Sequence, residues 1–183
     1  VVVFLTIGLA SRRRRMQILI LLSMSYVFFW LASGWHLILL LISTCIDWTA
    51  GKKMHGSQET SYRKRWLRIS IVTNLTLLGI FKYLDLLIET WNLATLRFSG
   101  ALEADALGLA LPVGISFYTF QTMSYTIDIY MKKQKPYDSF LDFACYAAFF
   151  PQLVAGPIVR ADHFRKEIEK PLATNPYRFR LGL

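Results

Sequence analysis

FACYAAFFPQLVAGPIVR, residues 143 to 160, carries no charge for 17 residues, from Phe143 to Val159, yet has Pro151, Gly156 and Pro157 in its second half. An uncharged run of this length reads as membrane-buried. A lipid-facing helix would lose backbone hydrogen bonds at each proline. Non-helical backbone at membrane depth survives only where protein or a water-filled cavity surrounds it. The segment is therefore expected inside the protein, lining something, with the rest of the chain as the wall around it.

Composition agrees with a membrane setting. The 183 residues are 54% hydrophobic and 15% aromatic, with a mean hydropathy of +0.37, above the roughly 45–50% apolar content of globular chains. The net charge of +9 would suggest nucleic acid in a soluble protein. Here the positives sit in short loops between apolar runs, the topology bias of inner-membrane proteins, and no nucleic-acid partner is expected. Cys45 and Cys145 both lie in apolar runs without metal-ligand or CxxC spacing, which suits small structural hydrophobes. The chain opens VVVFLTIGLA and closes RFRLGL. Both ends are expected to be cut from a longer protein.

The apolar runs divide the chain. Met16 to Ile46 has no Asp, Glu, Lys or Arg in 31 positions. As one helix it would measure about 46 Å against a hydrocarbon core of about 30 Å. A helical hairpin over about 16–33 and 35–50 is expected instead, broken at Ser33-Gly34-Trp35, with Asp47 and Trp48 closing its second arm. A cytoplasmic loop follows over 51–68, holding Lys52, Lys53, Arg63, Lys64, Arg65 and Arg68. Spans are expected over about 69–90 and 107–130, separated by an external loop of net charge −1. Lys132, Lys133 and Lys135 then return the chain to the cytoplasm.

Basic clusters thus fall at 12–15, 52–68, 132–135 and 160–170. The first three are separated by pairs of crossings, as the positive-inside rule requires. The third and fourth are separated only by residues 139–159. A full crossing there would put the last cluster outside. A re-entrant, proline-broken segment over about 139–159 keeps it inside. The fold class is therefore all-α, a polytopic integral membrane protein.

FFPQLVAGPIVR, Phe149 to Arg160, resembles the signature of membrane-bound O-acyltransferases, in the bacterial branch of alginate O-acetylation and teichoic acid D-alanyl transfer proteins. Three further pieces are similar and stand in order: Ser25 to Asp47, Trp66 to Tyr83, and Leu111 to Tyr130. The resemblance implies helices around a central tunnel. It also implies transfer of an acyl group, in this branch an acetyl group above all, from a cytoplasmic thioester to hydroxyls of an extracytoplasmic polysaccharide such as alginate. The donor, acetyl-CoA or a carrier-bound thioester, would be a co-substrate; no cofactor or metal is expected. The partners implied are membrane lipid, that donor, the polysaccharide and a periplasmic accessory protein, at the bacterial inner membrane. The family's catalytic histidine lies downstream of the signature in a tryptophan-rich context. His36, His55 and His163 do not sit in such a context, so no catalytic residue is assigned and a fragment of this extent is expected to be inactive alone.

Pro151, Gln152, Gly156 and Pro157 are the candidate tunnel-lining residues, as an unwound segment with free carbonyls; a tight packing kink is the other reading. Arg160 is a candidate donor contact. On the helix after Pro112, Ser116, Thr119, Thr122 and Thr126 share one face, and Gln121, Ser124 and Asp128 form a second polar line. Ser116, Thr119, Gln121 and Asp128 are candidates for a polar cavity face, against interhelical hydrogen bonding. Asp128 also stands at ion-pair spacing from Lys132. A channel or transporter with a re-entrant substrate segment is the alternative function, although no inverted repeat is visible. A membrane scaffold for polymer export is a third.

Overall fold

The computed structural model describes residues 14–98, 111–155 and 159–169. Every regular element among these residues is helical. Helix α1, Arg14–Ser33, ends at a 3₁₀ turn, Gly34–His36, and α2, Leu37–His55, continues from it. Gly34 has φ +57, a left-handed conformation that glycine adopts without steric cost. This turn breaks the long apolar run. Ser33 Oγ fixes its position by accepting the Val113 amide at 2.9 Å.

The basic stretch 51–68 is not one loop. Helix α2 carries on past Asp47 and Trp48 to His55, and α3, Thr60–Phe98, begins four residues later. The reason is local: Trp48-Thr49-Ala50-Gly51-Lys52-Lys53 contains no proline or competing turn, so the helix propagates into the headgroup region. Helix α3 has 39 residues, about 58 Å at the helical rise, so it projects beyond a bilayer core of about 30 Å. The expected external loop from Trp91 starts as the last two turns of α3, and residues 99–110 lie outside those described.

Helices α2, α3 and α4, Ile115–Tyr130, pack on one another. Ser70, Asn74 and Leu78 form the buried stripe of α3 at four-residue spacing. Val72, Leu75, Leu86 and Leu87 stand exposed on the same helix. Apolar faces this extensive need lipid to cover them. Two helical stretches, Arg14–His55 and Thr60–Ala94, are long and apolar enough to cross a membrane. Gly51 lets α2 approach α4: a Cβ placed there would lie 2.9 Å from Tyr125 Oη and 3.0 Å from Ile129 Cδ1.

The opening stretch folds as two short helices, α5, Phe140–Ala148, and α6, Phe150–Ala155. Phe143 to Ala148 are at most 1% exposed, wedged among α1, α2 and α4. An element apolar on every side is buried on every side. The break between the two helices is at Phe149 (ψ 99), not at Pro151. Pro151 falls in the first turn of α6, where a missing N–H costs nothing. Ser25 Oγ receives the freed Phe150 amide at 3.4 Å. Helix α7, Ala161–Glu169, completes the described chain. It lies close to the loop before α5: Tyr137 Oη donates to the Ala161 carbonyl at 2.8 Å, and Arg165 donates to the Lys135 carbonyl at 2.9 Å.

Candidate functional site

Two buried polar clusters flank α4. The first centres on Asp47, 0% exposed and in the body of α2. Ser70 Oγ donates to its Oδ1 at 2.6 Å, and Asn74 Nδ2 lies 2.9 Å from both carboxylate oxygens. Ser43 Oγ donates to Asn74 Oδ1 at 2.7 Å and so holds the amide in that orientation. Ser70 uses its single proton on Asp47. Thr126 is therefore the donor in the 3.0 Å Ser70–Thr126 contact, sharing its proton with the Met123 carbonyl. Burying a carboxylate is costly unless its oxygens are bonded; here every polar atom of Asp47, Asn74 and Ser70 side chains has a partner.

Asp47 was expected only to close a helix. What could have revealed the cluster is Asn74, an amide in the middle of an apolar span opposite STCID. An amide at that depth requires a polar partner, and Asp47 is the nearest unpaired polar group in the preceding span.

The second cluster contains the signature. Gln152, 8% exposed, accepts from Gln121 Nε2 at 3.3 Å. The same nitrogen donates to the Tyr146 carbonyl at 2.9 Å. Tyr146 Oη reaches the Val159 carbonyl at 3.2 Å, tying the end of the signature to α5. This cluster is not closed. Among the described residues Gln121 Oε1 is buried without a hydrogen-bond partner, as are Thr119 Oγ1 and Tyr118 Oη elsewhere on α4.

The structure thus brings Gln121 and Gln152 together; Thr119 is on the other face of α4, the one whose Thr126 meets Ser70. It does not gather the other candidates there. Ser116 is half-buried and receives Lys82 Nζ at 3.4 Å. Asp128 is half-buried near the other end of α4. Its expected ion pair with Lys132 does not form: among the described residues the ion pairs are Arg14–Asp142, Lys52–Asp138 and Lys166–Asp162. The backbone explains this. Lys132 turns left-handed (φ 58) immediately after α4, so it is no longer on the helical face four residues beyond Asp128. Pro151 is exposed and Arg160 is exposed. Gly156 and Pro157 lie outside the described residues.

The basic end of the helices is electrostatically organised. The C-terminal carbonyls of α4 accept from Arg63, Ile129 O at 3.1 Å and Tyr130 O at 2.6 Å, a cation at the negative end of a helix dipole. Burial pushes the Tyr137 phenol above its usual range, even with Arg165 beside it, so it stays a neutral donor to Ala161. Lys166 beside Asp162 holds that carboxyl below the usual carboxylate range. No group of His, Cys, Asp and Glu able to hold a metal occurs among the described residues.

Over 162 residues the chain is 34% identical to the probable alginate O-acetylase AlgI of Pseudomonas aeruginosa, covering 86% of the chain and 30% of that protein. It is 33% identical over 165 residues to the peptidoglycan O-acetyltransferase of Helicobacter pylori, covering 77% of the chain and 30% of that enzyme. The chain belongs to the membrane-bound O-acyltransferase family. A probable alginate O-acetylase AlgI of Azotobacter vinelandii is 33% identical over 150 residues, 80% of the chain and 29% of that protein. The chain spans under a third of the length of these curated relatives. No family profile and no solved structure matches it.

Proposed function

We propose that the chain is the wall-forming part of an O-acetyltransferase, which moves an acetyl group from a cytoplasmic thioester to hydroxyls of an extracytoplasmic polysaccharide. The observation that carries this is the 33–34% identity to proteins named as alginate and peptidoglycan O-acetylases over 77–86% of the chain. On this reading the protein is a multi-pass protein of the inner membrane with a central tunnel.

The segment over about 139–159 enters and leaves by the cytoplasmic face. The bonds from Tyr137 to Ala161 and from Tyr146 to Val159 support that reading, because the chain after the signature lies beside the chain before it. Gln152, Gly156 and Pro157 line the tunnel, with Gln121 on the facing helix; Gln121 Oε1, buried and without a partner among the described residues, supports this. Exposed Arg160 meets the anionic donor, acetyl-CoA or an acyl carrier. The acceptor polymer is reached with a periplasmic accessory protein.

The test uses the full-length protein in cells that make the polymer. Gln152→Ala is expected to lower polysaccharide O-acetyl content at least tenfold while the protein accumulates normally. Unchanged acetylation in a strain lacking the gene altogether would sink the enzymatic reading.

A further inference from the structure

A cleft of about 580 Å³ opens at the basic end of the molecule, between the turn joining α2 to α3 and the loop after α4. Arg63, Lys132, Lys133, Lys135 and Arg165 line it, with Asp162 as the one acidic residue. Asp162 is already paired to Lys166 at 2.9 Å, so the cleft carries a large uncompensated positive charge.

The positive-inside rule accounts for exposed lysines at this level. It does not account for how the cations are held. Arg63 is 8% exposed and pinned by the α4 carbonyls, over the Tyr130 ring at 5.4 Å. Arg165 is pinned by the Lys135 carbonyl and lies over the Tyr137 ring at 4.3 Å. In both guanidinium groups Nε is buried and has no partner among the described residues.

Lys132 adds a separate argument. Lys133 N donates to Asp128 O at 2.9 Å and Lys132 N to Ile129 O at 3.0 Å. Those two bonds with a left-handed Lys132 make a Schellman motif, whose left-handed position is ordinarily glycine. A lysine there is strained, and strain held in place points to use. Its main-chain geometry sets Lys132 at the mouth of the cleft.

We propose that this cleft binds a phosphate ester, namely the headgroup of an anionic phospholipid. Its place at the ends of the spans favours lipid over a soluble phosphate. Tyr62 and Trp66 pair beside it on α3 with ring centroids 6.3 Å apart, and paired aromatics mark the headgroup level. Basic pockets between transmembrane helices on the cytoplasmic side take such headgroups. This site is independent of acyl transfer.

The test is native mass spectrometry of the full-length protein in mixed phosphatidylglycerol and phosphatidylcholine, with thermal melting alongside. Wild type is expected to retain phosphatidylglycerol selectively. Lys132→Gly should melt no lower than wild type and hold that lipid about fivefold more weakly. The triple variant Lys132→Gln, Lys133→Gln, Lys135→Gln should weaken retention on the order of a hundredfold. A matched triple at exposed positions outside the cleft, Lys53→Gln, Lys64→Gln, Arg65→Gln, should leave it nearly unchanged. Equal retention of the two lipids, or equal loss in the two triples, overturns the site. Displacement of the retained lipid by adenosine bisphosphate overturns the lipid assignment in favour of a soluble phosphate ester, and resistance to displacement supports it.

Discussion

The two polar clusters beside α4 are built from similar groups and differ in completeness. Around Asp47, each donor and acceptor of the Asp47, Ser70 and Asn74 side chains meets another across three helices. Around Gln152, the amide nitrogen of Gln121 is shared between two acceptors while its own oxygen meets no partner among the described residues. A closed network locks helices together, because opening it strands charges and dipoles in a low dielectric. An open one contributes little to packing and leaves polar atoms for something else to bond. The closed and the open cluster thus meet α4 on different faces, one at Thr126 and the other at Gln121.

That contrast can be broken by mutation. The largest effect is expected for Asp47→Ala, which strands the neutral groups of both Ser70 and Asn74; it should destabilise the protein by about 1–3 kcal/mol for each, measured by the detergent-unfolding midpoint. Asn74→Leu removes the carboxylate's main donor and should cost about 2–3 kcal/mol in the same assay. At the open cluster, Gln121→Leu should cost only about 1 kcal/mol of stability, while polysaccharide acetylation falls at least tenfold. A stability loss equal to that of Asp47→Ala would erase the distinction. Smallest of all, Thr119→Val removes a buried hydroxyl with no partner, and should be neutral or stabilising by up to about 1 kcal/mol. A clear loss of stability would show that the hydroxyl is bonded.

Much of the architecture was legible in the sequence. The turn at Gly34, the burial of Phe143 to Ala148 and the helical class follow from charge spacing and apolar run length. The helix ends were not. Nothing in Trp48 to Lys53 stops a helix, and charge alone does not unwind one; hydropathy reports where the bilayer ends and not where the helix does. For the same reason α3 extends through Arg63 and Arg65. At the site, Gln121 and Gln152 stood out in the sequence as polar residues in apolar surroundings, but their contact depends on the sharp turn at Phe149, which carries no proline or glycine to mark it. The Asp47 cluster was missed because Ser70, Asn74 and Thr126 lie 23, 27 and 79 residues along the chain from Asp47 and become its neighbours only when three helices pack. Asp128 failed as an ion-pair partner because the left-handed turn at Lys132 has no signature when the residue is not glycine.

Gly51 sets the spacing on which both clusters depend. A single hydrogen there lets the Tyr125 phenol lie directly against the backbone of α2, and that phenol is itself held by the Tyr137 amide at 3.3 Å. The contact acts as a hinge pin at one end of α4. Any side chain at position 51 becomes a wedge, and because α4 is a stiff rod, prying it away near Tyr125 swings Gln121 at the next turn. Geometry at the signature is thus tuned from one turn along the same face of the helix, by a residue on a different helix.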